Sequence, residues 1–467
     1  MGELVARPPI HTASYDRLQP DRLSTILLFH EDDPVNYRYK VVVVDRMLLP
    51  STPLQYGTAA FLIPAGREAE YIFASEIGLK SIAESASTAR LIAISFGRHH
   101  RFGSQIIVQE ELSFVVQVLS RQGTFLPKPH QELLAEVEIP FMAVDGIGNR
   151  HIVAEGESQI SGKYLVEQVD VDGMQVRRLY FANNPFVIQS EAVLRDQGRV
   201  DKSCSAFDYH KTMAAGILAL VDSDVLTHGL LVGLGGGCFV NLIGHLLNDL
   251  ELSVVELDPA ILKIAEEHFD LDLESNRLDI RVGDGLEIMP LTHDAVSGCP
   301  TTFAKESMAF VAIDVDSKDQ SAGMSCPPES FVEIEYLSRL AELIHPHGVL
   351  VMNISARDPE KLDHVCRRVQ QVFRNVALAA PHDGEGNGKK KDINMVLFGK
   401  HAVMEVSTSK LCPLVEPHTT YESGPDLKRA LANLVAWNET KSIDTGSSNK
   451  IGRTKTTRQK KKRGKRK

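Results

Sequence analysis

The chain is predicted to be an α/β protein built around a parallel, doubly wound sheet. Three observations predict it. Apolar strands alternate with amphipathic helices from residue 203 to 400, the pattern of βαβ units stacked side by side. One of those strands, 229–232, runs into the glycine-rich turn Gly233-Leu234-Gly235-Gly236-Gly237 before a helix begins. Acidic residues then stand at the ends of the following strands, which is where open α/β sheets bind ligands.

Residues 1 to about 130 read as a folded α/β region of unknown function. Strand-like runs are expected at 39–44, 59–64, 89–96 and 106–110, and helical ones at 75–86 and 112–121. The region holds no glycine-rich strand-to-helix turn and no cluster of catalytic residue types. From 136 to 200 the pattern changes to short alternating strands. The runs 162–169 and 176–181 flank a turn containing Asp172-Gly173, and 186–189 follows. This predicts a β-hairpin or meander.

Between 203 and 400 the strands come in a definite order. After the glycine turn and a helix at 240–248, strand 252–258 carries Glu256, about twenty residues past the turn. Strand 278–282 delivers Gly283-Asp284-Gly285, and strand 308–313 delivers Asp314-Val315-Asp316. Strands at 348–354, 376–379 and 393–398 complete the set, the last expected to run antiparallel. Residues 401–440 form a C-terminal extension, and 441–467 a basic tail expected to be disordered.

Composition excludes several classes. The 467 residues carry a formal net charge of −10, which divides into +11 on the tail from 441 and −21 on the rest. An acidic body does not suit nucleic acid over its whole surface; the run 458–467, eight basic residues in ten, does locally, as a weak RNA or ribosome contact or a nuclear import signal. No apolar run approaches the ~18 residues of a membrane span. The N-terminus lacks a signal-peptide pattern, and Ala6 stands where a myristoylation signal needs Ser or Thr. The six cysteines are scattered without a C-x-x-C pair, so neither a metal site nor a secreted disulfide framework is expected. A cytoplasmic setting follows, with nuclear access through the basic run. Nothing sets the oligomeric state; a homodimer is compatible with the sequence.

The glycine turn alone does not choose a ligand. A dinucleotide fingerprint starting at Gly233 needs glycine at 238, which is Cys238. A ligand without a pyrophosphate does not need that third glycine. Glu256, at the end of the second strand, is placed to accept both hydroxyls of a ribose. Asp284 with Gly285 is placed to receive an adenine amino group. Any one of these acids fits a helix cap or a solvated turn equally well; acids or turns at four strand ends fit a nucleoside site better. The sheet and its antiparallel last strand match a class I methyltransferase, a Rossmann-like seven-stranded sheet, with S-adenosyl-L-methionine as donor. Gly233, Gly235, Gly237, Glu256, Asp284, Gly285 and Asp314 are the candidate donor-binding residues.

The motifs also resemble a known family. Val232 to Gly237, Val255-Glu256-Leu257-Asp258-Pro259, Asp284-Gly285, Asp314-Val315-Asp316-Ser317-Lys318-Asp319 and Gly323-Met324-Ser325-Cys326-Pro327-Pro328 look like the C-terminal domain of the dual elongation factor 1-alpha lysine and N-terminal methyltransferases. The resemblance covers most of residues 20 to 400. It implies methylation of the N-terminal α-amine of elongation factor 1-alpha, which would then be the protein partner. The family's first domain methylates an internal lysine; residues 1–130 show no methyl-donor turn, so that reaction is not expected here. The basic tail departs from the family pattern.

A wider resemblance is to spermidine synthases, which share the preceding hairpin and an Asp-x-x-Asp loop. Their glycine turn carries an Asp that faces an aminopropyl group, at the position of Gly236 here. Aminopropyl transfer is therefore the second reading, and a non-catalytic protein keeping the fold is the third.

For catalysis, the carboxylates Asp314, Asp316 and Asp319 stand where an incoming amine would meet the donor's methyl. Asp316 or Asp319 is expected to grip the amine and Asp314 to line the donor–acceptor junction, with Ser317 hydrogen-bonding the substrate. Tyr209 and His210, in the segment before the first strand of the sheet, match the Tyr-containing segment that lines the acceptor site of spermidine synthases. Either is a candidate orienting or proton-accepting group. Gln189 is a further candidate substrate contact.

Overall fold

The computed structural model describes residues 3–49, 51–120, 139–143, 147–171, 173–183, 187–291, 301–317, 324–356, 358–381, 394–404 and 434–436. The expected basic tail and most of the C-terminal extension lie outside these residues.

The first layer is a six-stranded sheet. Its strands are β1 (Leu4–Arg7), β2 (Leu23–His30), β3 (Asp33–Asp45), β4 (Tyr56–Leu62), β5 (Thr88–Phe96) and β6 (Phe141–Ala143), in spatial order β1-β2-β3-β5-β4-β6. Short helices α1 (Thr12–Tyr15) and α2 (Tyr71–Ala74) join α3 (Glu76–Ser85) and α4 (Gln105–Leu119) around it. Helix α3 covers one face through Leu79, Ile82 and Ala83, and α4 covers the other through Val108, Leu112, Val115, Val116 and Leu119.

Here one expectation fails. The run 106–110, read as a strand from its β-branched start, is the first part of α4. The buried positions Val108, Leu112, Val115 and Leu119 recur every three or four residues, and that helical period outweighs the local preference of Ile106-Ile107-Val108 once the sheet offers a face to cover.

The second unit is an antiparallel meander of β7 (Arg150–Ser158), β8 (Gly162–Val171), β9 (Met174–Phe181) and β10 (Ser190–Val193). The expected strand at 186–189 is displaced to β10; residues 184–186 lie outside the described residues, and Gln189 only begins the pairing by donating its N–H to Leu179 O at 2.9 Å.

The main sheet follows. Helix α5 (Asp208–Leu220) leads into β11 (His228–Val232), α6 (Cys238–Leu246), β12 (Glu251–Glu256), α7 (Pro259–Phe269) and β13 (Leu278–Val282). A small ribbon of β14 (Met289–Pro290) and β15 (Thr302–Phe303) precedes β16 (Met308–Ile313) and β17 (Met324–Cys326). Then come α8 (Ile334–Leu343), β18 (Ile344–Ala356), α9 (Pro359–Val372), β19 (Asn375–Ala379), β20 (Asn394–Lys400) and β21 (Val435–Ala436). The spatial order is β13-β12-β11-β16-β18-β20-β19-β21, with β17 paired to β18. Strands β13 through β18 along this path are parallel. Strand β20 lies antiparallel between β18 and β19. The seven strands from β13 to β19 in this order, with that one reversal, are the class I methyltransferase sheet, and β21 adds to its edge beside β19.

The strands are apolar on both faces because both are covered. Leu231, Val254, Phe310 and Val351 face α5, α6 and α7. Their neighbours Leu230, Val255, Val311 and Leu350 face α8 and α9. The meander adds Val166, Leu179, Phe181 and Ala192 to the first of these cores. It is also pinned to the main sheet by Ser158, whose hydroxyl donates to Asp258 Oδ2 at 2.5 Å, while Asp258 Oδ1 caps α7 at Ala260 N.

Candidate active site

The site is built where β11 and β16 diverge from their helices. Gly233 has φ +91°, and a Cβ there would lie 2.2 Å from the carbonyl oxygen of Asp314. Only glycine lets the two strand ends approach this closely. The turn continues through Gly235 to Gly237, whose left-handed backbone caps α6. Gly236 N donates to Ser190 Oγ at 2.7 Å, so the meander holds the turn from above.

Glu256, at the end of β12, is 9% exposed. One oxygen accepts the N–H of Leu234 and the other the N–H of Asp258, at 2.8 and 2.9 Å. The carboxylate is thereby fixed against the glycine turn. Asp284 accepts Leu286 N at 2.9 Å and caps the turn that begins at Gly285.

The densest chemistry surrounds Asp314. Its Oδ2 meets His210 Nε2 at 3.1 Å and accepts from Tyr209 Oη at 3.3 Å; its Oδ1 accepts from Asn353 Nδ2 at 2.9 Å. Burial would raise the carboxyl's pKa, but donation and charge from His210, then Asn353 and Tyr209, hold it below its ordinary value. Burial and the neighbouring Asp314 push the Tyr209 phenol well above 10, so it stays a donor. The other ring nitrogen, His210 Nδ1, shares a 3.0 Å hydrogen bond with the Ser205 hydroxyl, and Ser205 Oγ itself takes the N–H of Phe207. Both ring nitrogens are therefore engaged, which suits a positioning role better than proton capture.

Asp316, two residues further on, accepts from Gln189 Nε2 at 3.1 Å. Ser317 donates its backbone N–H to Ser325 O at 2.7 Å. Asp319 and Lys318 lie outside the described residues. Gly233, Gly235, Glu256, Asp284, Gly285, Asp314, Asp316, Tyr209, His210 and Gln189 all line one open cavity of about 700 Å³. Gly237 and Ser317 are not among its lining residues.

Asn353, Ser190 and Cys326 line the cavity in addition to the expected site residues. Asn353 ties Asp314 to Asn394, whose Nδ2 donates to Asn353 Oδ1 at 3.1 Å. Its signal was a polar residue inside the apolar strand 348–354. Ser190 and the buried thiol of Cys326 carried no such signal. Among the described residues no group of three or more His, Cys, Asp or Glu is arranged to hold a metal, and no helix is long and apolar enough to cross a membrane.

No family model matches the chain. It is 30% identical over 430 residues to the eEF1A lysine and N-terminal methyltransferase of Danio rerio, covering 84% of this chain and 57% of that protein. It is 32% identical over 364 residues to the Drosophila melanogaster homolog, covering 74% and 50% respectively. The chain is a relative of these methyltransferases. It spans about half the length of the curated relatives it matches. A solved structure of human methyltransferase-like protein 13 in complex with SAH is 25% identical, with a TM-score of 0.35 over 51% of this chain and 99% of that one.

Proposed function

We propose that the chain is an S-adenosyl-L-methionine-dependent protein methyltransferase whose acceptor is the N-terminal α-amine of elongation factor 1-alpha. The observation that carries the reading is the Asp314 network at the carboxyl end of β16, facing the same cavity as Glu256 and the glycine turn. The acceptor itself is taken from the names of the relatives.

The cavity is within the ~300–1,000 Å³ range of small-molecule sites. Glu256 would receive the donor's ribose hydroxyls, and Asp284 and Leu286 would flank the base, since all three line the cavity. The donor supplies an electrophilic methyl on a sulfonium. The amine lone pair forms the new N–C bond as the C–S bond breaks, its electrons staying on sulfur, and the amine loses a proton. A protein α-amine has a pKa of ~7.7–8, so a useful neutral fraction exists near neutral pH without a strong base. What the chain must supply is attraction and alignment. Asp314 and Asp316 provide a negative strand end for an ammonium, and Tyr209, His210 and Asn353 hold Asp314 still; such alignment is a large part of the rate.

Gly236 counts against aminopropyl transfer. A Cβ there would meet Ser190 Cβ at 2.9 Å and the Phe269 ring at 3.0 Å, so this backbone has no room for the carboxylate that the other reaction uses at this position. The reading further places the chain in the cytoplasm, with the run 458–467 as a weak contact to RNA or the ribosome, supported by its eight basic residues.

The test is labelled S-adenosyl-L-methionine, purified chain and recombinant elongation factor 1-alpha, followed by mass spectrometry of the factor's N-terminal peptide. Stepwise methyl additions at the first residue, absent with Glu256→Ala, support the reading. Donor binding without modification there would leave a methyltransferase with a different acceptor, and absence of both would leave a non-catalytic relative.

A further inference from the structure

The first layer and the meander meet through buried ion pairs, and that seam leads to the active site. Arg150 on β7, its side chain 6% exposed, donates Nη2 to both oxygens of Glu68 at 2.7 Å. Glu68 in turn accepts Gly66 N at 2.9 Å, shaping the loop that follows β4. Arg150 Nε also lies 3.1 Å from Glu167 on β8, and Arg98 from the first layer lies 3.3 Å from the same carboxylate. Glu167 is fully buried.

Arg178 on β9 sits at the centre. It stands opposite Glu167 across one strand pair and opposite Glu191 across the other. Its guanidinium donates Nη1 to the carbonyl of Gly66 and Nε to Glu191. The two residues before Glu191 are the ones that reach the site: Ser190 holds Gly236 N of the glycine turn, and Gln189 donates to Asp316. Ala69, three residues past Gly66, lines the cavity itself.

We infer that Arg178 is a positioning residue through which the first layer sets the active site: it clamps β10 between Gly66 and β9 so that Ser190 and Gln189 seat the glycine turn and the Asp316 carboxylate. The physical argument is one of cost. Burying this many charges is expensive, and a buried ion pair adds little net stability over apolar packing of the same volume. What a forked guanidinium adds is direction: its donors leave at fixed angles in one plane, so the carbonyl of one layer and the carboxylate of another are held at a set separation. A four-residue strand such as β10 has few ladder bonds of its own to hold that position. The first layer, which carries no donor turn, thereby becomes part of the site without touching the reacting atoms.

This inference rests on the proposed methyl-donor site only for its kinetic readout; its structural readout stands alone. The full-length chain, Arg178→Lys, Arg178→Gln and Ser190→Ala are compared by amide hydrogen exchange and by calorimetric titration with S-adenosylhomocysteine. In Arg178→Gln, exchange of the 233–237 peptide and of β10 should rise at least tenfold while β16 and β18 exchange as in wild type. Arg178→Lys, which keeps the charge but loses the fork, should show a smaller rise at the same places. Ser190→Ala should release the glycine turn alone and weaken S-adenosylhomocysteine about tenfold, the scale of one lost hydrogen bond, and Arg178→Gln should weaken it at least as much. With peptide acceptor, both changes should appear mainly in KM for the donor. Unchanged exchange at 233–237 in both Arg178 variants overturns the inference whether or not the donor binds. A rise spread evenly over β16 and β18 in both overturns it too, because the clamp would then be a general stabiliser. If wild type binds no S-adenosylhomocysteine, the donor reading fails, and the exchange pattern still decides the role of Arg178.

Discussion

His210 Nε2 lies 3.1 Å from Asp314 Oδ2, two residues 104 positions apart in the chain. Helix α5 carries the first and the end of β16 the second, and both line the cavity. A carboxylate with three protein donors is a fixed electrostatic reference point, and the expected behaviour of several variants follows from it.

Removing one donor should cost alignment more than binding. For His210→Asn and Tyr209→Phe we expect turnover to fall, by roughly 10-fold to 100-fold and by up to about 10-fold respectively, on the scale of ~0.5–3 kcal/mol for a hydrogen bond to a charged or neutral partner. The donor's dissociation constant should change little. Steady-state kinetics beside calorimetry separates the two; a large loss of donor affinity with unchanged kcat would contradict the assignment.

The pH dependence of stability follows from Asp314. Its folded pKa is depressed, by His210 before Asn353 and Tyr209 and against the effect of burial. A depressed carboxylate contributes stability that is complete above the unfolded value of ~3.9 and disappears as pH falls through the lower folded value. The stability gap between wild type and Asp314→Asn should therefore stay level from neutral pH down to ~5 and close only below ~4. Denaturant titrations at several pH values check this, and a gap that closes near neutral pH would exclude it.

Glu256→Gln keeps an acceptor for one of the backbone N–H groups of Leu234 and Asp258 but loses the charge. We expect S-adenosylhomocysteine to bind roughly 10-fold to 100-fold more weakly, as hydrogen bonds to a charged acceptor are worth ~1.5–3 kcal/mol. Tight binding by Glu256→Gln in calorimetry would move the ribose elsewhere.

Gly236→Asp tests the choice of donor. The new Cβ meets Ser190 and Phe269 within about 3 Å, so the turn must shift. Methyl transfer should drop and no aminopropyl transfer from the decarboxylated donor should appear. Appearance of that activity in a product assay would restore the competing reading.

Ser158→Ala should destabilise the joint between meander and main sheet. It leaves the buried Asp258 carboxylate without the hydroxyl at 2.5 Å, a loss of about 1–3 kcal/mol. Thermal unfolding should show a lower midpoint, with the helix cap at Ala260 retained; an unchanged midpoint would mean that water replaces the hydroxyl.

Much of the main sheet was legible in the chain because its signals are local. A strand covered on both faces is a continuous apolar run, as at 229–232 and 308–313, and the glycine turn must be glycine because Gly233 meets the Asp314 carbonyl. Those constraints act on neighbouring residues, so spacing alone placed Glu256, Asp284 and Asp314 at strand ends. The run 106–110 departs from its strand-like sequence for the opposite reason: Ile106-Ile107-Val108 favours a strand locally, and only the sheet face beneath α4 makes it a helix.

Signals local to the chain thus set the alternation of strands and helices, the turn at 233–237 and the residue types at the carboxyl edge. Tertiary structure alone decided which of those residues share a charge. No periodicity relates His210 to Asp314, Gln189 to Asp316 or Arg178 to Gly66, because each pair is brought together across a sheet or between layers. Hydrogen bonds and ion pairs act over about 3 Å of space, and sequence spacing says nothing about distances that only packing closes.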